Sequence, residues 1–356
     1  MGANAAFSME SGHYSMPKMP LLPIVTKRTE RRLAVKRMGR LVSTSALLIG
    51  ILAAVFSVWS CNENPAAPIV GVGTEWATEI TGTNGNLISV ASTGNQLVTV
   101  GNDEYGGFIL TSPDGITWTQ RDSLPQDGIG SIAWTGKQWV AISFNDSVLT
   151  SPDGINWTNR GYVGILGAVY AITWTGKQLV TVDDVNGNIQ TSPDGITWAS
   201  QNSGATEPLY SIVWTGKQLV AVGWGTGDNC NIVTSPDGVN WTTQNSPCTS
   251  GGQDLADVIW TGKQLVASYG GNIDSIITSP DGINWTSRSL GSDSHIYNMV
   301  WANNQVVALG TVNFTSPDGI NWTIQNSGPQ YPVGSMIWTG KEIVGLGGNG
   351  RVAISP

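Results

Sequence analysis

The stretch "TSPDGITWT", Thr111 to Thr119, decides how this chain is read, because close copies of it recur five more times. They begin at Thr150, Thr191, Thr234, Thr278 and Thr315, so successive copies lie 39, 41, 43, 44 and 37 residues apart. A second motif lies between them. "WTGKQWV" from Trp134 returns as "WTGKQLV" from Trp174, Trp214 and Trp260, as "WTGKEIV" from Trp338, and in weaker form as "WANNQVV" from Trp301 and "STGNQLV" from Ser92. Seven copies at a period of about 40 residues match the length of a four-stranded propeller blade.

One unit shows how the blade is written. "IGSIAWTG", "KQWVAIS", "DSVLTS" and "INWTNR", between Ile129 and Arg160, read as four short strands with Gly-containing turns between them. Apolar and polar residues alternate and no helix-length pattern is present, which is the signature of antiparallel strands. In "SPDG" the Pro presets φ, the Asp bonds back to the backbone, and the Gly takes the left-handed conformation. This predicts a tight hairpin with a three-residue loop between the third and fourth strands. The Trp three residues past the Gly then falls on the early fourth strand, where a large flat ring can seal one sheet against its neighbour. Trp76, Trp118, Trp157, Trp198, Trp241, Trp285 and Trp322 hold this position. With the six first-strand tryptophans, they account for 13 of the 16 in the chain.

The two ends of the repeating region fit together. The chain stops at "ISP", inside a hairpin turn, and "VGTEWA" near residue 72 keeps the Gly-to-Trp spacing of "DGITWT". The fold class expected is therefore all-β: a seven-bladed β-propeller of four-stranded antiparallel blades over 72–356, with the last blade closed by an N-terminal strand. Such closure removes free sheet edges.

Composition divides the chain near residue 60. Residues 1–60 hold eight Lys and Arg against two acids, and the remainder nine against 23, which sum to the net −8. The first part is a leader. From about residue 38 to 60 it has a basic start, an apolar run from Leu41 to Trp59 and a small residue before Cys61, the layout of a secretory signal. An uncleaved transmembrane anchor is the alternative reading of the same run; both place the body outside the cytoplasm. Residues 61–71 form a short linker. In an exported protein, Cys230 and Cys248, both in lengthened segments of one repeat, are expected to form a disulfide, with two free thiols as the alternative.

Loop lengths point to a working face. From hairpin Ser to Trp the spacing is always six residues, whereas from first-strand Trp to the next hairpin Ser it runs from 15 to 21. In a four-stranded meander the variable connections all lie on one face, and such loops carry function on a fixed scaffold. Residues that break the repeat there are Trp224 in the longest insertion, Tyr170, Tyr210 and Tyr297 four positions before the first-strand Trp, and Asp183 and Asp184 in "DDVNGN". As a set they make a platform for a protein or a glycan. The bland alternative is that the tyrosines pack between blades and the acids are solvated. "DDVNGN" lacks the Gly and Glu positions of a calcium loop, and neither a metal nor another cofactor is expected.

"SPDGITW" resembles the Asp-box, SxDxGxTW, of BNR-repeat propellers, and residues 72–356 resemble the WD40/YVTN/BNR-like superfamily of exported bacterial proteins. "VWSC" before and at Cys61 resembles a lipobox, which implies lipidation of Cys61 and a membrane tether in the periplasm or on the cell surface. The superfamily includes sialidases and other glycoside hydrolases, photosystem assembly factors and binding proteins, and fold alone does not choose among them. Sialidases need three convergent arginines; Arg121, Arg160 and Arg288 each fall on the outermost strand of a different blade. An acidic body disfavours nucleic acid. The expectation is a monomeric, non-catalytic envelope protein that binds a protein or a glycan. A sialidase-like hydrolase, an assembly factor for an envelope or membrane complex, and a cohesive surface role are the alternatives.

Overall fold

The computed structural model describes residues 71–124, 128–164, 167–226, 230–248, 254–271 and 273–356. The leader, Cys61 and most of the linker lie outside the described residues. Seven four-stranded antiparallel sheets make up the body, and the described residues contain no helix. The protein is a seven-bladed β-propeller.

In the first blade the strands are Asn86–Ser92, Leu97–Asp103, Gly106–Ser112 and Thr119–Leu124, ordered sequentially from the ring interior outward. Blades two to six begin at Ile129, Val169, Leu209, Leu255 and Ile296. The seventh takes Val333–Trp338, Ile343–Gly347 and Arg351–Ser355 from the end of the chain and Ala77–Ile80 from its beginning. Ala77 pairs with Ile354 and Ile80 with Arg351, antiparallel.

There is no single core. Each of seven apolar clusters combines side chains of two adjacent blades. One joins Val98, Val100 and Ile109 of blade one to Ile129, Ile132 and Trp139 of blade two, with Trp157 packed against it. Another joins Leu87 and Phe108 of blade one to Val344 and Val352 of blade seven, with Trp118 against it. In five blades the second strand is buried along its whole length; Trp139 to Ser143 are all at 0% exposure. Burial of each such Val, Leu or Ile stabilises by about 1.5–3 kcal/mol, so the blade-to-blade seams hold the ring together.

The SPDG turn differs from the three-residue hairpin loop that its sequence predicts. The third strand of blade one ends at Ser112 and the fourth begins at Thr119, so the loop is 113–118 and Trp118 precedes the strand rather than lying on it. The physical reason is the Asp. Its Oδ1 accepts the backbone N–H groups of Ile116 and Thr117 at 3.0 and 2.7 Å, which holds the chain in a second bend and delays pairing. Ser112 Oγ accepts the Gly115 N–H at 2.8 Å, and Trp118 Nε1 donates to the Gly115 carbonyl at 2.8 Å. The Gly is doubly required. Its φ is +73°, and a β-carbon would stand 2.9 Å from Val344 of the preceding blade.

These turns also fasten the blades. Gln138, in the TGKQ turn of blade two, donates to the Asp194 carbonyl of blade three at 2.6 Å, and Gln178 of blade three to the Asp237 carbonyl of blade four at 2.7 Å. Gln96, Gln218 and Gln264 make the corresponding bonds. In blade seven the position is Glu342.

Candidate functional site

Strand direction places the starts of first strands and the ends of second strands on the same face as the variable loops. Tyr170 follows Val169, whose pairing partner is Asp183. Tyr210 holds the same place in blade four, and the rings of Tyr170 and Tyr210 meet edge to face, centroids 5.2 Å apart. Both phenols are pushed up by burial and by the nearby Asp184 carboxylate, Tyr210 also by Asp254. Trp224 donates its backbone N–H to the Pro208 carbonyl at 2.9 Å and bridges to Asp254, at the entrance to blade five. Trp224 is 46% exposed and Tyr170 48%. Tyr170, Tyr210, Trp224 and Asp184 therefore share one patch over blades three to five, joined by Glu207 and Asp254.

Tyr297 does not join that group through any contact among the described residues. Its ring packs on His295 of its own blade, with centroids 5.0 Å apart. Asp183 has a different setting from Asp184. It is 1% exposed, its Oδ1 accepts the Val185 N–H at 3.0 Å, and its Oδ2 is buried without a hydrogen-bond partner. Burial pushes its carboxyl up to about 6. Asp146, at the turn of blade two, is likewise pushed up to about 6, by burial first and then by Asp183 and Asp184. Asp184 Oδ1 accepts the Ala168 N–H at 2.8 Å. No group of three or more potential metal-ligating side chains of suitable geometry occurs among the described residues. Cys230 and Cys248 are disulfide-bonded, Cα atoms 5.8 Å apart, and buried in the seam between blades four and five.

Charge is unevenly spread over the two faces. Lys137, Lys177, Lys217, Lys263 and Lys341 all occupy the TGK turns, away from the variable loops. The variable side carries Asp103, Glu104, Asp146, Asp183, Asp184, Glu207, Asp254, Asp274 and Asp293, with Arg351 the one cation there among the described residues. Arg351 lies over the Tyr331 ring, 5.4 Å from its centroid. The other arginines are committed within their own sheets: Arg121, Arg160 and Arg288 donate through Nε to Thr111, Thr150 and Thr278 at 2.7, 2.8 and 3.1 Å. Gln201, Gln244 and Gln325 make the same bond in three other blades.

Sequence reading missed Asp146, Glu207 and Asp254, each a single acid in a loop with nothing in its spacing to mark it. It also missed a polar pocket of about 460 Å³ at the junction of blades seven and one, lined by residues 83–86, 102–105, Gln120 and Asn349.

No family model and no curated protein matches the chain. Solved structures do. The structure of YCF48 bound to D1 peptide is 17% identical, with a TM-score of 0.63, covering 78% of this chain and 94% of that one. The β-propeller domain of Cps50 (Swd1) from Myceliophteria thermophila is 13% identical, with a TM-score of 0.56, covering 78% and 99%. At these identities the likeness is one of fold, the seven-bladed propeller.

Proposed function

We propose that this is a non-catalytic binding and scaffold protein of the cell envelope that takes a basic segment of a partner protein on its variable face. The observation that carries the reading is the Tyr170, Tyr210 and Trp224 patch set among Asp184, Glu207 and Asp254. Aromatic side chains supply contact area at low entropic cost, and surrounding carboxylates favour a cationic partner and repel anionic ones. Commitment of Arg121, Arg160 and Arg288 to threonines in separate blades supports a binding role over a sialidase-like one, since no arginine triad remains among the described residues to hold a carboxylate. YCF48, a chain of the same fold, has been seen with a peptide bound; that analogy concerns fold and adds support only by example. Export, with lipidation of Cys61 tethering a monomer to the membrane, completes the proposal.

A photo-crosslinking residue at Trp224 of the full chain in intact envelopes is expected to yield protein adducts, and the same residue at Lys177, in a TGK turn, none. Equal adducts from both faces, or none from Trp224, count against the reading. Raised salt should weaken the adduct, because exposed charge pairs are screened. Cys61→Ser should move the protein from the membrane to the soluble fraction; retention on the membrane would remove the lipid anchor from the proposal.

A further inference from the structure

The pocket between blades seven and one has a chemistry unlike the rest of the molecule. In the repeated motifs many amide side chains are used internally: Gln138 and Gln178 reach the next blade, and Asn156 Nδ2 donates to Asp153 Oδ2 at 2.8 Å. Asn84, Asn86, Asn102, Gln120 and Asn349 all line the pocket, and none of these side chains hydrogen-bonds to any other group among the described residues. Five amides thus offer both donors and acceptors to whatever enters. Asp103 and Glu104 add acceptors. Asp103 Oδ1 also accepts the Tyr105 N–H at 2.8 Å, which fixes the turn that presents Tyr105 at the pocket edge, 76% exposed.

We propose that this pocket binds a short, uncharged saccharide. Hydroxyl groups are at once donors and acceptors, and planar amides and carboxylates are their natural partners. The C–H face of a sugar ring needs an aromatic surface, which Tyr105 supplies. A volume of about 460 Å³ lies within the range of small-molecule sites. No Lys or Arg lines the pocket, so a sialylated or phosphorylated sugar would bring an anion toward Asp103 and Glu104 with nothing to balance it. Apart from the Tyr105 ring there is no apolar wall to anchor a peptide side chain. The site is formed by different blades from the Trp224 patch and stands independently of the function proposed above.

The test is retention of the purified full chain on an array of neutral, amino and sialylated oligosaccharides, followed by calorimetric titration with the best-retained neutral disaccharide. Neutral saccharides should be retained in preference to sialylated ones. Tyr105→Ala and Gln120→Ala, both at exposed positions, should each weaken the titrated binding by roughly tenfold without lowering the melting temperature. Trp224→Ala should leave it unchanged. The proposal is overturned by failure to retain any neutral saccharide, by preference for sialylated ones, or by binding that survives both pocket variants and is lost in Trp224→Ala.

Discussion

Gln305, in the sixth blade, donates its side-chain amide to the backbone carbonyl of Val72 at 2.8 Å, across 233 residues of chain. Val72 thereby fills the place that an SPDG aspartate fills in other blades. Two further bonds of that turn are also reproduced from two pieces. Gly73 N–H donates to Ser355 Oγ at 2.7 Å and Trp76 Nε1 to the Gly73 carbonyl at 3.1 Å, the same bonds that Gly115, Ser112 and Trp118 make within one continuous segment. The seventh blade is closed by the Gln, Ser, Gly and Trp bonds of the repeat as well as by strand pairing, with the Gly71 carbonyl accepting the Thr74 and Glu75 N–H groups in place of an Asp carboxylate.

Deleting residues 72–80 should therefore abolish cooperative unfolding, because it exposes the edge of Arg351–Ser355 and takes Val72 and Trp76 out of one seam. Gln305→Ala removes one bond of that closure and is expected to lower stability by about 1 kcal/mol. Urea unfolding followed by tryptophan fluorescence distinguishes the two; a sharp transition in the deletion variant would refute the closure.

Glu342 stands where the six other blades carry the stapling Gln. Its Oε1 lies 3.5 Å from where a β-carbon on Gly115 would be, against the turn of Asp114, yet a carboxylate has no N–H to give the Asp114 carbonyl. Burial, and then Asp114, raise its pKa. Folding thus favours the protonated acid, and the stability this provides at low pH is lost as pH rises through the folded-state value. Glu342→Gln is expected to stabilise the protein at pH 7 by about 1 kcal/mol and by less at pH 4. Thermal melts at both values check it, and an equal gain at the two would contradict the assignment.

Asp183 offers a second pH-linked change. Its carboxyl, at about 6 in the folded protein, titrates near 4 when unfolded. Between these values the folded state holds a proton that the unfolded chain releases, so stability falls as pH rises across that window. Asp183→Asn retains the acceptor for the Val185 N–H and removes the buried charge. It should raise stability at pH 7 by about 1 kcal/mol, with the gain vanishing near pH 4. A loss at pH 7 would show that the charge is needed there.

The fold was legible because the same residues recur: Gly and Trp at fixed spacings mean the same seam seven times over, with a Gln beside six of them. The turn is one bend longer than its sequence suggests, since spacing reveals that Asp114 bonds back to the backbone but not that it captures two N–H groups in succession. Site residues were legible only where an uncommon type broke the pattern, as Trp224 and Tyr170 do. The amides of the saccharide pocket were not, because Asn and Gln are ordinary loop residues, and Asn349 and Asn102 come to line one pocket only when the ring closes.

The split turn has one more consequence. Ser355, Gly73 and Trp76 hold their geometry with no peptide bond across the gap, so the covalent join at an SPDG turn adds little that the seam does not already supply. The ring has no privileged starting blade. A circular permutant with 356 joined to 71 and new termini opened between Pro152 and Asp153 would present the same seven sheets in the same order, and its loops would keep their neighbours.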